Sequence, residues 1–142
     1  MMGKNFRMFT CAWLGLILLT GFSLAEEKIQ TPGEAVNYTT YTQHGAITKF
    51  LSRLEHVSPH LKVRIAGRTL PTEEYGAKDL YLCIITEEGI SSPAELNRTK
   101  PTFYIAAAKH GNEQSAKEAA LLLIRDLCAG PLNKLLKDVN VL

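Results

Sequence analysis

The run Thr102-Phe103-Tyr104-Ile105-Ala106-Ala107-Ala108 carries almost no polarity and breaks off at Lys109-His110-Gly111-Asn112-Glu113. A run this short and apolar needs cover on both faces, which predicts a buried central strand over Thr102–Ala108. Ala106, Ala107 and Ala108 are small enough for a helix to approach the sheet closely there. From Gln114 to Cys128 the apolar residues Ala116, Ala119, Ala120, Leu123, Ile124 and Leu127 recur at helical spacing, leaving Gln114, Lys117, Glu118 and Arg125 as a solvent stripe. Gly130-Pro131 stops that helix. The stretch therefore reads as strand, loop and helix, with His110 and Glu113 at the strand's C-terminal end, where open α/β sheets form their ligand sites.

The segments on either side supply the rest of an α/β sheet. Residues 26–42 are polar and turn-rich and predict an extended lead-in, with Thr40 or Thr42 capping the first helix. Ile47, Phe50, Leu51 and Leu54 fall at i, i+3, i+4 and i+7, one face of that helix, which Ser58-Pro59 ends. Lys62–Ala66 alternates as a strand before Gly67 turns the chain, and Asp79–Thr86 is apolar on both faces. Residues 87–100 form a polar surface connection. Asn97-Arg98-Thr99 within it, like Asn37-Tyr38-Thr39, is a glycosylation sequon only in a host with that machinery. Leu132–Lys137 suits a short helix and Asp138–Leu142 a new strand. This order predicts an α/β fold with a mixed open sheet flanked by helices.

Export is written at the start of the chain. Lys4 and Arg7 precede an apolar core, Met8–Phe22, and Ser23-Leu24-Ala25 puts small residues at the cleavage positions, so residues 1–25 read as a signal peptide cleaved after Ala25. The core is shorter than the ~20 residues that span a bilayer, and Cys11 lies too far from the cleavage site for acylation. The expected location is secreted or periplasmic, with no membrane association after cleavage. Of 16 Lys+Arg and 14 Asp+Glu in the whole chain, the leader holds two bases and no acid, which leaves residues 26–142 neutral. A neutral chain without a basic run offers no electrostatic surface for nucleic acid. Cys83 and Cys128 remain, and both a disulfide and two buried thiols are compatible with export.

Imidazole and carboxylate are both zinc donors, and a catalytic zinc takes three protein ligands plus an open position for water. Gly111 would let the backbone turn so that His110 and Glu113 converge. The plain alternatives are a loop histidine and a first-turn carboxylate favoured by the helix dipole.

Lys100–Glu113, followed by Ala119, Ala120 and a leucine-rich helix, resembles the first zinc-binding segment of the zinc carboxypeptidase (metallocarboxypeptidase) family. Tyr38–Leu54 resembles that family's opening segment and first helix, and Ile65-Ala66-Gly67-Arg68-Thr69 its turn between the first two strands, so the resemblance spans about residues 38–142. It implies a carboxypeptidase-like α/β/α sandwich, with residues 26–142 the N-terminal part of a catalytic domain, truncated. It also implies Zn2+ held by His110 and Glu113 as the first two ligands, a peptide or protein substrate, and a metal-activated water that attacks the peptide bond. The family's second zinc histidine, carboxylate-binding arginine and general-base glutamate are expected downstream of Leu142. Many family members carry arginine where this chain has Asn112. His-Gly-Asn-Glu is closer to related N-acyl amino acid deacylases of the aspartoacylase and succinylglutamate desuccinylase type. A deacylase and a non-catalytic α/β module are therefore the alternatives.

Overall fold

A computed structural model describes residues 29–142; the expected signal peptide, residues 1–25, and Cys11 lie outside that range. The first element of the described residues is a one-turn helix, α1, Pro32–Ala35, within the stretch expected to be an extended lead-in. Its origin is local. Thr31 accepts from the Glu34 amide while the Glu34 carboxylate accepts from the Thr31 amide, a reciprocal capping box with Pro32 at its first position.

Helix α2, His44–Val57, buries Phe50, Leu51 and Leu54 and half-buries Ile47, the face that the apolar spacing predicts. Neither threonine caps it: Gln43 holds the N-cap position without a side-chain bond. Ser58 closes its C-terminal end and donates from its hydroxyl to the Cys128 carbonyl, tying the end of α2 to the second large helix. Strand β1, Leu61–Arg68, pairs antiparallel with β2, Asp79–Ile85, from Leu61 opposite Ile85 to Arg68 opposite Asp79. Gly67 lies inside β1, beside an irregularity in the register between Ile65 and Gly67, and the reversal falls in residues 69–78. At the far end Gly89 takes φ +61, and a Cβ there would sit 2.2 Å from the Pro59 carbonyl oxygen, so only glycine fits.

Helix α3, Gln114–Ala129, ends at Gly130 as predicted, and a 3₁₀ turn over Asn133–Lys137 leads into β4, Asn140–Val141. Strand β4 inserts between β2, with which it is antiparallel, and β3, Thr102–Phe103, with which it is parallel. The sheet order is β1-β2-β4-β3, a mixed open sheet, and the domain is α/β. Leu61 and Ile85 on the sheet, Phe50, Leu51 and Leu54 on α2, Leu121, Leu127 and Cys128 on α3, and Leu136 and Val141 form one core. Cys83 packs against that core, and both cysteines are free thiols.

The strand expected at the centre lies at the rim. Strand β3 covers Thr102–Phe103 only, and every residue from Pro101 to Glu113 is exposed, Phe103 at 55%, Tyr104 at 74% and Ile105 at 48%. The ladder limits it: the Leu142 amide donates to the Phe103 carbonyl and the Ile105 amide to the Leu142 carbonyl. No strand pairing continues past that point among the described residues. Tyr104 is consequently no packing residue, and Ala106–Ala108 are exposed rather than packed beneath a helix.

Candidate functional site

Beyond the last ladder bond the chain crosses residues 106–113 to reach α3. Within it Ala108 holds φ +57, a left-handed conformation that costs an L-residue with a Cβ roughly 1–2 kcal/mol. Gly111, the residue expected to supply this freedom, does not use it: its backbone lies outside the left-handed region and a Cβ there would meet nothing within 4 Å. Strain of this kind concentrates at functional loops, where surrounding structure holds it in place. Ala108→Gly is accordingly expected to stabilise the fold by about 1 kcal/mol, read as a raised urea midpoint with unchanged slope.

The loop brings the two predicted ligands together. The Glu113 amide donates to the His110 carbonyl at 3.1 Å, a tight turn that folds the two side chains onto one side. His110 Nδ1 then stands 3.1 Å from Glu113 Oε1, with side-chain exposures of 63% and 58%. Glu113 occupies the N-cap position of α3 but makes no side-chain cap bond; its carboxylate is turned to the imidazole instead. A nitrogen and an oxygen donor facing each other in solvent are the right chemistry for two of three zinc ligands.

No third donor joins them among the described residues, where no group of three His, Cys, Asp or Glu converges. The other histidines are engaged or distant in sequence. His44 bonds through Nε2 to the Asp79 carbonyl and stacks on Tyr81 with ring centroids 5.5 Å apart. His60 Nδ1 lies 3.2 Å and 3.1 Å from the Thr86 and Glu87 carbonyls, so it is held against the sheet end rather than free in solvent. His56 is exposed on α2. Lys109, expected at a strand end, is an exposed loop charge well past the end of β3, and Arg68 pairs with Asp79 at 2.7 Å.

A groove of about 720 Å³ reaches the loop at Gly111 and is otherwise walled by Tyr41, His44, Leu70, Tyr75 and Lys78; neither His110 nor Glu113 lines it. The β1–β2 connection forms one side and the start of α2 the other.

Sequence reasoning placed Lys117, Glu118 and Arg125 on the solvent face of α3, and the structure corrects all three. Glu118 accepts from both the amide and the hydroxyl of Thr42, at 2.8 Å and 2.7 Å, and Lys117 donates to the Thr42 carbonyl at 2.6 Å. Arg125 is 4% exposed. The partners that cover them, Thr42 and Glu34, lie 75 or more residues away, which no local pattern reveals.

Comparisons with protein-family models, with curated proteins and with solved structures gave no significant match to this chain.

Proposed function

We propose that the chain contributes the first half of a zinc site in an exported hydrolase of the metallocarboxypeptidase type, with His110 and Glu113 as ligands. The observation that carries this reading is their convergence, Nδ1 to Oε1 at 3.1 Å, on the loop between an edge strand and the helix after it. The finer architecture proposed with it is the carboxypeptidase-like α/β/α sandwich, of which residues 26–142 form the N-terminal part. When bound, zinc would polarise the scissile carbonyl and lower the pKa of a water at its open position. The chain's own contribution is to present one imidazole and one carboxylate at fixed separation, and to offer the neighbouring groove to an extended peptide.

Two donors alone hold zinc weakly, since catalytic sites rely on three. The 142-residue chain expressed alone is therefore expected to release no C-terminal residues from peptides above the rate of a metal-free blank. Robust zinc-dependent release by this chain would overturn the half-site. Asn112 between the ligands favours a second reading, zinc-dependent deacylation of N-acyl amino acids. Hydrolysis of N-acetylaspartate in preference to a peptide, by a form of the protein that carries the third ligand, would select it.

A further inference from the structure

We infer that the groove reaching Gly111 binds extended peptides that carry an acidic side chain, with Lys78 receiving the carboxylate; this deepens the peptide reading of the groove, rests on it for the kind of ligand, and needs no metal. The walls come from three parts of the chain: the segment leading into α2, the β1–β2 connection, and the stretch from Ala108 to the first turn of α3. A volume of about 720 Å³ lies within the range of ligand-binding clefts. Among the described residues no aspartate or glutamate lines the groove, whereas Lys78 and Lys117 both do.

The two lysines are not equivalent. Lys117 has a side-chain exposure of 15% and is engaged by the Thr42 carbonyl at 2.6 Å and the Gln114 amide oxygen, with Glu118 3.8 Å away. Lys78 is exposed, and its ammonium forms no ion pair among the described residues. It stands over the Tyr75 ring, 5.8 Å from the centroid, where a cation keeps its charge for an incoming anion. The connection itself fixes both side chains. The Lys78 amide donates to the Thr69 hydroxyl and the Lys78 carbonyl accepts from the Thr69 amide, each at 2.9 Å. One step further out, the Tyr75 amide donates to the Thr72 hydroxyl at 2.9 Å and its carbonyl accepts from the Thr72 amide at 2.8 Å. Glu74 meets the Tyr75 hydroxyl but does not line the groove. Tyr41, 65% exposed, and Leu70, 88% exposed, offer apolar surface from opposing walls to the side chains that flank the acid. A single free cation between such walls selects by charge: a carboxylate gains a partner and an ammonium meets its like.

The test is an NMR titration of the full chain, in metal-free buffer, with three blocked pentapeptides that differ only in a central glutamate, glutamine or lysine between valines. The expected result is a saturable shift of the Tyr41, Leu70, Tyr75 and Lys78 amides. Affinity should fall from the glutamate to the glutamine to the lysine peptide by about threefold per step, the size of a partly exposed ion pair. K78Q should remove the difference between the glutamate and lysine peptides, and K78E should reverse their order, which a merely structural role of Lys78 would not do. Equal affinities in wild type, an order that survives in K78E, or binding of none of the peptides overturns the proposal. The first two outcomes leave the groove a peptide site without charge preference, and the third removes the peptide reading as well. With no metal present, none of them bears on whether His110 and Glu113 hold zinc.

Discussion

Replacing Arg125 with methionine is expected to cost about 3 kcal/mol, the low end for breaking a buried ion pair from one side. The guanidinium holds three parts of the chain together. Its Nη1 donates to the Ile29 carbonyl at 2.9 Å and to Glu34 Oε2 at 3.1 Å, its Nη2 to Glu34 Oε1 at 3.1 Å, and its Nε to Asp126 Oδ1 at 2.6 Å. The fork onto Glu34 is bidentate, the geometry that makes arginine hard to replace. Glu34 retains only 19% side-chain exposure, so deleting the cation leaves a largely desolvated carboxylate behind. Because Glu34 is also the capping residue of α1, the N-terminal turn should loosen first. Urea unfolding of R125M measures the loss, and R125M/E34Q should recover at least about 1 kcal/mol of it by neutralising a largely buried charge that has lost its bidentate arginine. An R125M midpoint indistinguishable from wild type would show that the cluster contributes nothing net.

Raising the pH to about 10 is expected to remove roughly 3 kcal/mol through the two thiols together. Burial pushes Cys83 from its ordinary 9.0 up to about 12, with the Glu55 charge adding to the shift. Burial likewise pushes Cys128 up to about 12, with Cys83 adding to it and the bond to Ser58 opposing it. The folded state therefore keeps both protons while the unfolded chain releases them once the pH passes 9. The contribution is complete below that value and is lost progressively as pH rises toward 12. The check is the difference in unfolding free energy between about pH 7.5 and pH 10, which should shrink by about half in Cys83→Ala, since the remaining groups titrate equally in both chains. An unchanged difference would mean that the Cys83 thiol titrates alike folded and unfolded.

Periodicity made α2 legible because its buried face is set by its own residues, Phe50, Leu51 and Leu54. The end of α3 at Gly130 and the β-character of Asp138–Leu142 were legible for the same reason. Where a strand sits in a sheet is a different kind of property. Thr102–Phe103 is apolar enough for the interior, but its neighbours are set by β4, nearly forty residues later, and that pairing leaves it at the edge. Arg125, Lys117 and Glu118 show the limit for helices: spacing identifies a polar stripe, not whether α1 and Thr42 cover it. The capping box at Thr31 and Glu34 was written in the local sequence, and the T-x-x-E spacing would have found α1. At the candidate site the two donors were legible as a motif. The strained residue was not, because positive φ at Ala108 contradicts the preference of its own side chain and is imposed by the loop.

The most direct test of the half-site is a zinc titration of the chain followed by NMR of its four histidines. A saturable shift confined to the His110 imidazole and the amides of Gly111–Glu113, absent in Glu113→Ala, is the predicted result. A His110 resonance that stays still, or one that moves no more than those of His44, His56 and His60, would contradict it.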